Sequence, residues 1–150
     1  MKFALSTFVP ASVERVFDIS LDIGTHLDSM SESNERAVAG VTSGLIELGQ
    51  SVTWKAKHFG VDWTMTSTIV SWDRPHSFVD EQAKGPFRRF HHRHQFSSEG
   101  SGTRMVDEID YDAPFGLIGD GVERIILTRY LRKLIVARNE FIVETARRQA

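Results

Sequence analysis

The chain has 150 residues, 41% of them apolar and 25% charged, no cysteine, and a formal net charge of −2. Its length suits one domain, residues 1–150, with a substantial core, and its charge excludes the marked basic excess of a nucleic-acid binder. The lack of cysteine excludes disulfides, thiol catalysis and thiolate-bound metal, and fits a reducing, cytoplasmic setting.

The N-terminus, Met1-Lys2-Phe3-Ala4-Leu5-Ser6, carries no apolar h-region, so no signal peptide is expected. No run reaches the ~18 apolar residues of a membrane span. Phe3 to Val9 alternates as a strand and Pro10 ends it. Ser12 then suits an N-cap, with Glu14 favoured in the first turn by the helix dipole and Val13, Val16 and Phe17 on one face of a short helix. Asp22 to Met30 predicts a second short helix, capped by Asp22 or Thr25, and Ser31 to Asn34 a polar loop.

Strands follow. Arg36–Thr42 comes first, then Ser51–Phe59 with Val52, Trp54, Ala56 and His58 on one side. Gly60-Val61-Asp62 reads as a tight turn into Trp63–Trp72. Ser77–Gln82, Phe87–Phe96 and Thr103–Tyr111 complete the run, the last two joined by the hairpin loop Glu99-Gly100-Ser101-Gly102.

Pro114 precedes a long helix, from about Phe115 to Gln149. Its entry is crowded by Gly116, Gly119 and Gly121, a stretch that could act as a flexible gate. Val122, Ile125, Ile126, Tyr130 and Leu134 recur at helical spacing, and Leu127, Leu131, Ile135, Phe141, Ile142 and Thr145 widen the stripe. At ~1.5 Å per residue such a helix spans roughly 40 Å and needs a large apolar partner. The alternating strands predict that partner: one bent antiparallel sheet of about seven strands, buried on one face, in an α+β fold.

This order of elements resembles the START-like, or helix-grip, superfamily, which includes Bet v 1-like carriers and aromatase/cyclases. More narrowly, the chain is similar to the bacterial polyketide cyclase/dehydrase-like ligand-binding family. The stretches that carry the likeness are Pro10 to Phe17, Gly85-Pro86-Phe87 through His92-Arg93-His94-Gln95-Phe96, and Gly102 through Pro114-Phe115-Gly116. The resemblance covers the whole chain and is specific for fold. It implies an apolar cavity between sheet and helix and a small hydrophobic ligand, lipid or polyketide-like. It transfers no catalytic set, because the superfamily hosts carriers, receptors and enzymes.

The most unusual stretch is Arg88-Arg89-Phe90-His91-His92-Arg93-His94-Gln95-Phe96. Period 2 places Phe90, His92, His94 and Phe96 on one face, and the aromatics mark it as the inner one. On the next strand Met105, Asp107, Ile109 and Tyr111 share a face by the same count. Asp107 therefore also points in, with His94 the nearer histidine in register. Trp54, Phe90, Phe96, Tyr111 and Leu134 are candidate apolar wall, and Arg138, beside the helix stripe, is a charge either at that wall or snorkelling outward. Asp80 and Gln82, on the Phe78 face, are expected at the rim and in solvent.

Three uses compete for His92, His94 and Asp107: structural hydrogen bonding that fixes register, recognition of a ligand's polar end, and acid–base catalysis with Tyr111 as in a cyclase or dehydratase. His92 and His94, two apart in a strand, could also share a zinc with Asp107. No signature metal spacing supports it, so neither a metal nor another cofactor is expected. Gly-x-Ser-x-Gly and phosphate-loop patterns are absent. A partner-docking role for the helix tail with Arg147 and Arg148 is the remaining alternative, and oligomeric state is not legible.

Overall fold

The computed structural model describes residues 1–114 and 121–149. Its elements run β1 (Lys2–Val9), α1 (Val13–Leu21), α2 (Ile23–Ser29), β2 (Arg36–Gly40), β3 (Ser51–His58), β4 (Val61–Asp73), β5 (Ser77–Lys84), β6 (Phe87–Glu99), β7 (Gly102–Pro114) and α3 (Gly121–Arg148). A single 3-10 turn, Ser31–Ser33, links α2 to β2. The seven strands form one antiparallel sheet in the order β1-β7-β6-β5-β4-β3-β2. The β4–β5 ladder shifts register twice, with Ala83 of β5 the extra residue between the Thr66 and Ser67 pairs and Val70 of β4 the extra one between the Ile69 and Ser71 pairs; such bulges bend a sheet locally. The architecture is the helix-grip α+β fold.

Local chemistry sets the boundaries. The Ser12 hydroxyl accepts from Arg15 N at 3.3 Å and starts α1. Asp22, rather than Thr25, caps α2: its carboxylate accepts from Gly24 N at 3.1 Å and from the Thr25 hydroxyl at 3.0 Å. The β3–β4 turn falls one residue earlier than Gly60-Val61-Asp62. Val61 and Asp62 already pair with His58 and Lys57, leaving Phe59 and Gly60 as a two-residue turn with φ of 53° and 73°. Two positive φ values in succession match the twist of the flanking strands. The Phe59 ring, which leans on Tyr130 of α3 at 4.4 Å, helps hold a conformation that its Cβ disfavours.

Two apolar clusters lie on the inner face. In the first, Phe17 of α1 meets Trp72, Phe78 and Phe96 edge-on, with centroids 5.3–5.5 Å apart, over Val9, Met105, Ile142 and Ala146. The second holds Phe3, Phe87, Ile109, Tyr111 and Leu127. The α3 stripe differs from expectation: Val122, Ile125 and Ile126 are exposed, whereas Leu127, Arg138, Asn139, Ile142, Thr145 and Ala146 are buried. Counting back from Leu127 by three or four reaches Arg124 and Glu123, so the three early residues sit off the seam. Of the gate expected over 116–121, all but Gly121 lies outside the described residues, as does the helix start at Phe115. No helix among the described residues is long and apolar enough to cross a membrane.

Candidate functional site

Adjacent strands supply the inner face. Ser67 and Ile69 come from β4, Phe78 and Asp80 from β5, His92 and His94 from β6, and Asp107 from β7. The β5–β6 register sets Phe78 opposite His94 and Asp80 opposite His92, and the β6–β7 register sets His94 opposite Asp107. His94 Nδ1 lies 3.3 Å from Asp107 Oδ1 across that pair, but the shorter contacts run diagonally. His92 Nε2 lies 2.8 Å from Asp107 Oδ1, and His94 Nε2 lies 2.7 Å from Asp80 Oδ2. Phe78, His94 and His92 stack face to face, with centroids at 4.0 and 3.7 Å. The stack fixes the ring planes and turns each imidazole edge toward the carboxylate one step along.

From the other side α3 contributes Arg138 and Asn139. Arg138 Nη1 donates to Asp107 Oδ1 at 3.3 Å and to Asn139 Oδ1 at 3.0 Å, and its Nη2 lies 3.4 Å from His94 Nδ1. Asn139 Nδ2 donates to Asp107 Oδ2 at 2.7 Å and to the Thr7 hydroxyl of β1 at 3.1 Å. Asp107 is fully buried, with Oδ1 held by His92 and Arg138 and Oδ2 by Asn139.

The electrostatics follow from these contacts. Burial works to raise Asp107, but the hydrogen bonds from His92 and His94 and the Arg138 charge prevail and hold it well below the usual carboxylate range. Burial likewise opposes Asp80, yet the His94 hydrogen bond and the neighbouring positive groups bring it down to about 2. Desolvation, aided by His94, lowers His92 to about 4, so its ring is neutral at pH 7. Since Asp107 only accepts, the His92 proton sits on Nε2 and Nδ1 keeps a bare lone pair.

A cavity of about 220 Å³ lies between sheet and α3. Of the candidate residues, Trp54, Phe90, His92, His94, Leu134 and Arg138 border it. Phe96, Asp107 and Tyr111 do not. Phe96 is covered by Phe17, Asp107 sits behind the two histidines, and the Tyr111 hydroxyl turns to Thr128 in the second cluster. Inward direction was legible from alternation, but what would cover each side chain was not. Arg138 is buried at the wall rather than snorkelling.

Sequence reasoning missed other groups. Asp80, read as solvent-facing, is the His94 partner; its place on the Phe78 face was the available signal. Gln82 does not reach the cavity and instead bridges the backbone of Phe87. Asn139 gave no signal beyond adjacency to Arg138. At the cavity edge His26 Nε2 meets Glu35 Oε1 at 2.6 Å with its ring on Trp54, and His58 Nδ1 meets the Tyr130 hydroxyl at 2.7 Å. Phe59, 59% exposed, borders the cavity there and marks its mouth.

Ligand atoms of Asp80, His92 and His94 lie within 4.8 Å of one another, so Asp80 replaces Asp107 in the metal triad that the sequence suggests. The set fits a cation poorly: His94 Nε2 already donates to Asp80 and His92 Nε2 to Asp107. The Arg138 guanidinium beside them would repel a second positive charge.

The family model for polyketide cyclase / dehydrase and lipid transport matches residues 1–139. A comparison with curated protein sequences finds no match. Among solved structures, TTHA0849 from Thermus thermophilus superposes with a TM-score of 0.81 at 20% identity, over 100% of this chain and 99% of that one. A START superfamily protein from Mycobacterium smegmatis gives 0.76 at 11% identity, over 99% of each chain. The Zhui aromatase/cyclase from Streptomyces gives 0.72 at 15% identity, over 99% and 94%. At these identities the likeness is one of fold.

Proposed function

Because the chain belongs to the polyketide cyclase / dehydrase and lipid transport family, we propose that it binds a small hydrophobic or aromatic molecule, lipid or polyketide-like, in the cavity between the sheet and α3. The carrying observation is the cavity wall: Ile69, Phe78, Phe87, Phe90, Leu131 and Leu134 surround the space, and the buried His92 and His94 border it. A concave apolar chamber with few placed polar groups suits a small-molecule site. Trp54, Phe90, His92, His94, Leu134 and Arg138 contact the ligand in this reading, while Asp107 positions the histidines and Phe96 and Tyr111 support the wall.

The test is thermal unfolding and native mass spectrometry of the pure protein against fatty acids, sterols and small aromatics. A compound at 100 times its Kd adds about 2.7 kcal/mol, enough to raise Tm measurably. Ala56 lines the cavity, so Ala56→Trp should fill it and erase the shift. If nothing in the panel stabilises the wild type, the binding reading fails.

A second reading, a cyclase or dehydratase, draws on the His92–Asp107 pair at the cavity wall, the arrangement of a base oriented by a carboxylate. A ring with its pKa near 4 is a weak base at neutral pH, and the Tyr111 hydroxyl lies elsewhere, so binding alone is the stronger proposal. Loss of water from a β-hydroxy ketone on incubation, abolished in His92→Phe, would favour the enzyme.

A further inference from the structure

Resting on the reading of the cavity as a ligand site, we propose that the ligand is an uncharged compound of one or two rings. Its hydroxyl donates a hydrogen bond to Nδ1 of His92, and carboxylates are refused.

The first support is the unpaired nitrogen. Four histidines border the cavity. His26 and His58 are only partly buried, and their partners are Glu35 and Tyr130. His94 is engaged at both nitrogens, by Asp80 and by Arg138. His92 is buried, and its Nε2 is committed to Asp107, yet Nδ1 has no partner among the described residues. No sealed polar side-chain atom among the described residues lacks a partner. Nδ1 must therefore border open space, which is the cavity. A bare acceptor in an apolar chamber favours a ligand that brings a donor, because an unmatched buried acceptor costs free energy.

The second support is charge. Asp80 and Asp107 are ionised, Arg138 is the one fixed cation, and its Nη1 already serves Asp107. The two carboxylates and the one guanidinium together carry −1. A carboxylate brought to the His92 edge would meet the Asp80 carboxylate at the wall with Asp107 just behind, while the Arg138 guanidinium is already committed to Asp107 and the His94 ring. Size is the third support. An engineered apolar cavity of about 150 Å³ holds benzene, so about 220 Å³ suits one or two fused rings, below the ~300 Å³ where drug-sized sites begin.

Calorimetric titration at pH 7.5 with naphthalene, 2-naphthol and 2-naphthoate tests the proposal on one ring skeleton. On the wild type, 2-naphthol should bind roughly tenfold tighter than naphthalene, and 2-naphthoate more weakly than either. In His92→Phe the naphthol advantage should vanish while naphthalene binding persists. His92→Gln, which keeps a donor for Asp107 and an acceptor for the cavity, should restore part of it. Should His92→Phe fail to fold, the imidazole 15N shift of the wild-type protein serves instead. The Nδ1 resonance should move with 2-naphthol and stay put with naphthalene. Naphthoate binding as tightly as naphthol, or naphthol equal to naphthalene, overturns the donor proposal and leaves the cavity reading standing. If none of the three binds, the ring-donor proposal falls, and the wider panel of fatty acids and sterols decides the cavity reading separately.

Discussion

Asp107 shows what one buried carboxylate can organise. It receives His92, Arg138 and Asn139 at 2.7–3.3 Å, from a neighbouring strand and from the helix that closes the sheet. Asp107→Leu would leave the Arg138 charge buried without its anion, a loss of roughly 3–5 kcal/mol. Urea unfolding measures it, and a change under 1 kcal/mol would mean that the cluster is wetter than its geometry implies. His92 makes a pH prediction of definite sign. Its folded pKa is about 4 against about 6.5 unfolded. Between those values the unfolded chain binds a proton that the native ring refuses, so stability falls as pH drops from about 6.5 toward 4 and levels off above. His58, lowered by burial, adds in the same direction. Asp80 works in a separate, lower window: its contribution is complete above its unfolded value of 3.8 and fades as pH falls toward 2. The urea midpoint of the wild type should trace both slopes, and His92→Gln should flatten the first; an unchanged slope in the variant removes His92 as its source.

Among the elements, β6 was the most legible. Strict alternation put Phe90, His92, His94 and Phe96 on one face, and the Glu99–Gly102 hairpin made β7 its neighbour. Register alone then pointed to His94 as the partner of Asp107. That contact exists at 3.3 Å, but the shorter bonds step sideways because stacked rings on a twisted sheet present their edges obliquely, which no count along a strand reveals. Asp80 was misplaced for a related reason: whether a carboxylate on the inner face meets water or a histidine depends on which strand lies next to it. The turns carry their own prediction. Gly40 and Gly60 both have φ of 73°, but a Cβ on Gly40 would fall 2.2 Å from Ser51 O, whereas one on Gly60 meets nothing within 4 Å. Gly60→Ala should cost about 1–2 kcal/mol from backbone strain alone, and Gly40→Ala distinctly more. Equal losses on thermal unfolding would show that the β2 edge yields freely.

For the molecule as a whole, element order and the alternating pattern were enough to reach the helix-grip fold, because a one-sided sheet and a single long amphipathic rod have few ways to bury each other. The site was only half legible, since its polar centre depends on contacts from five separate elements. The unequal seating of α3 has a further consequence. Its buried residues concentrate from Arg138 to Ala146, where Asp107 and α1 grip it, while positions 121–126 are exposed and Leu127 to Ile135 roof the cavity. The rod is anchored at its far end and free to breathe at its near one. Amide hydrogens over 122–126 should exchange with solvent much faster than those over 138–146, and a bound guest should slow the former first. Passage in and out would then proceed by fraying at one end, with the ionic anchor never broken.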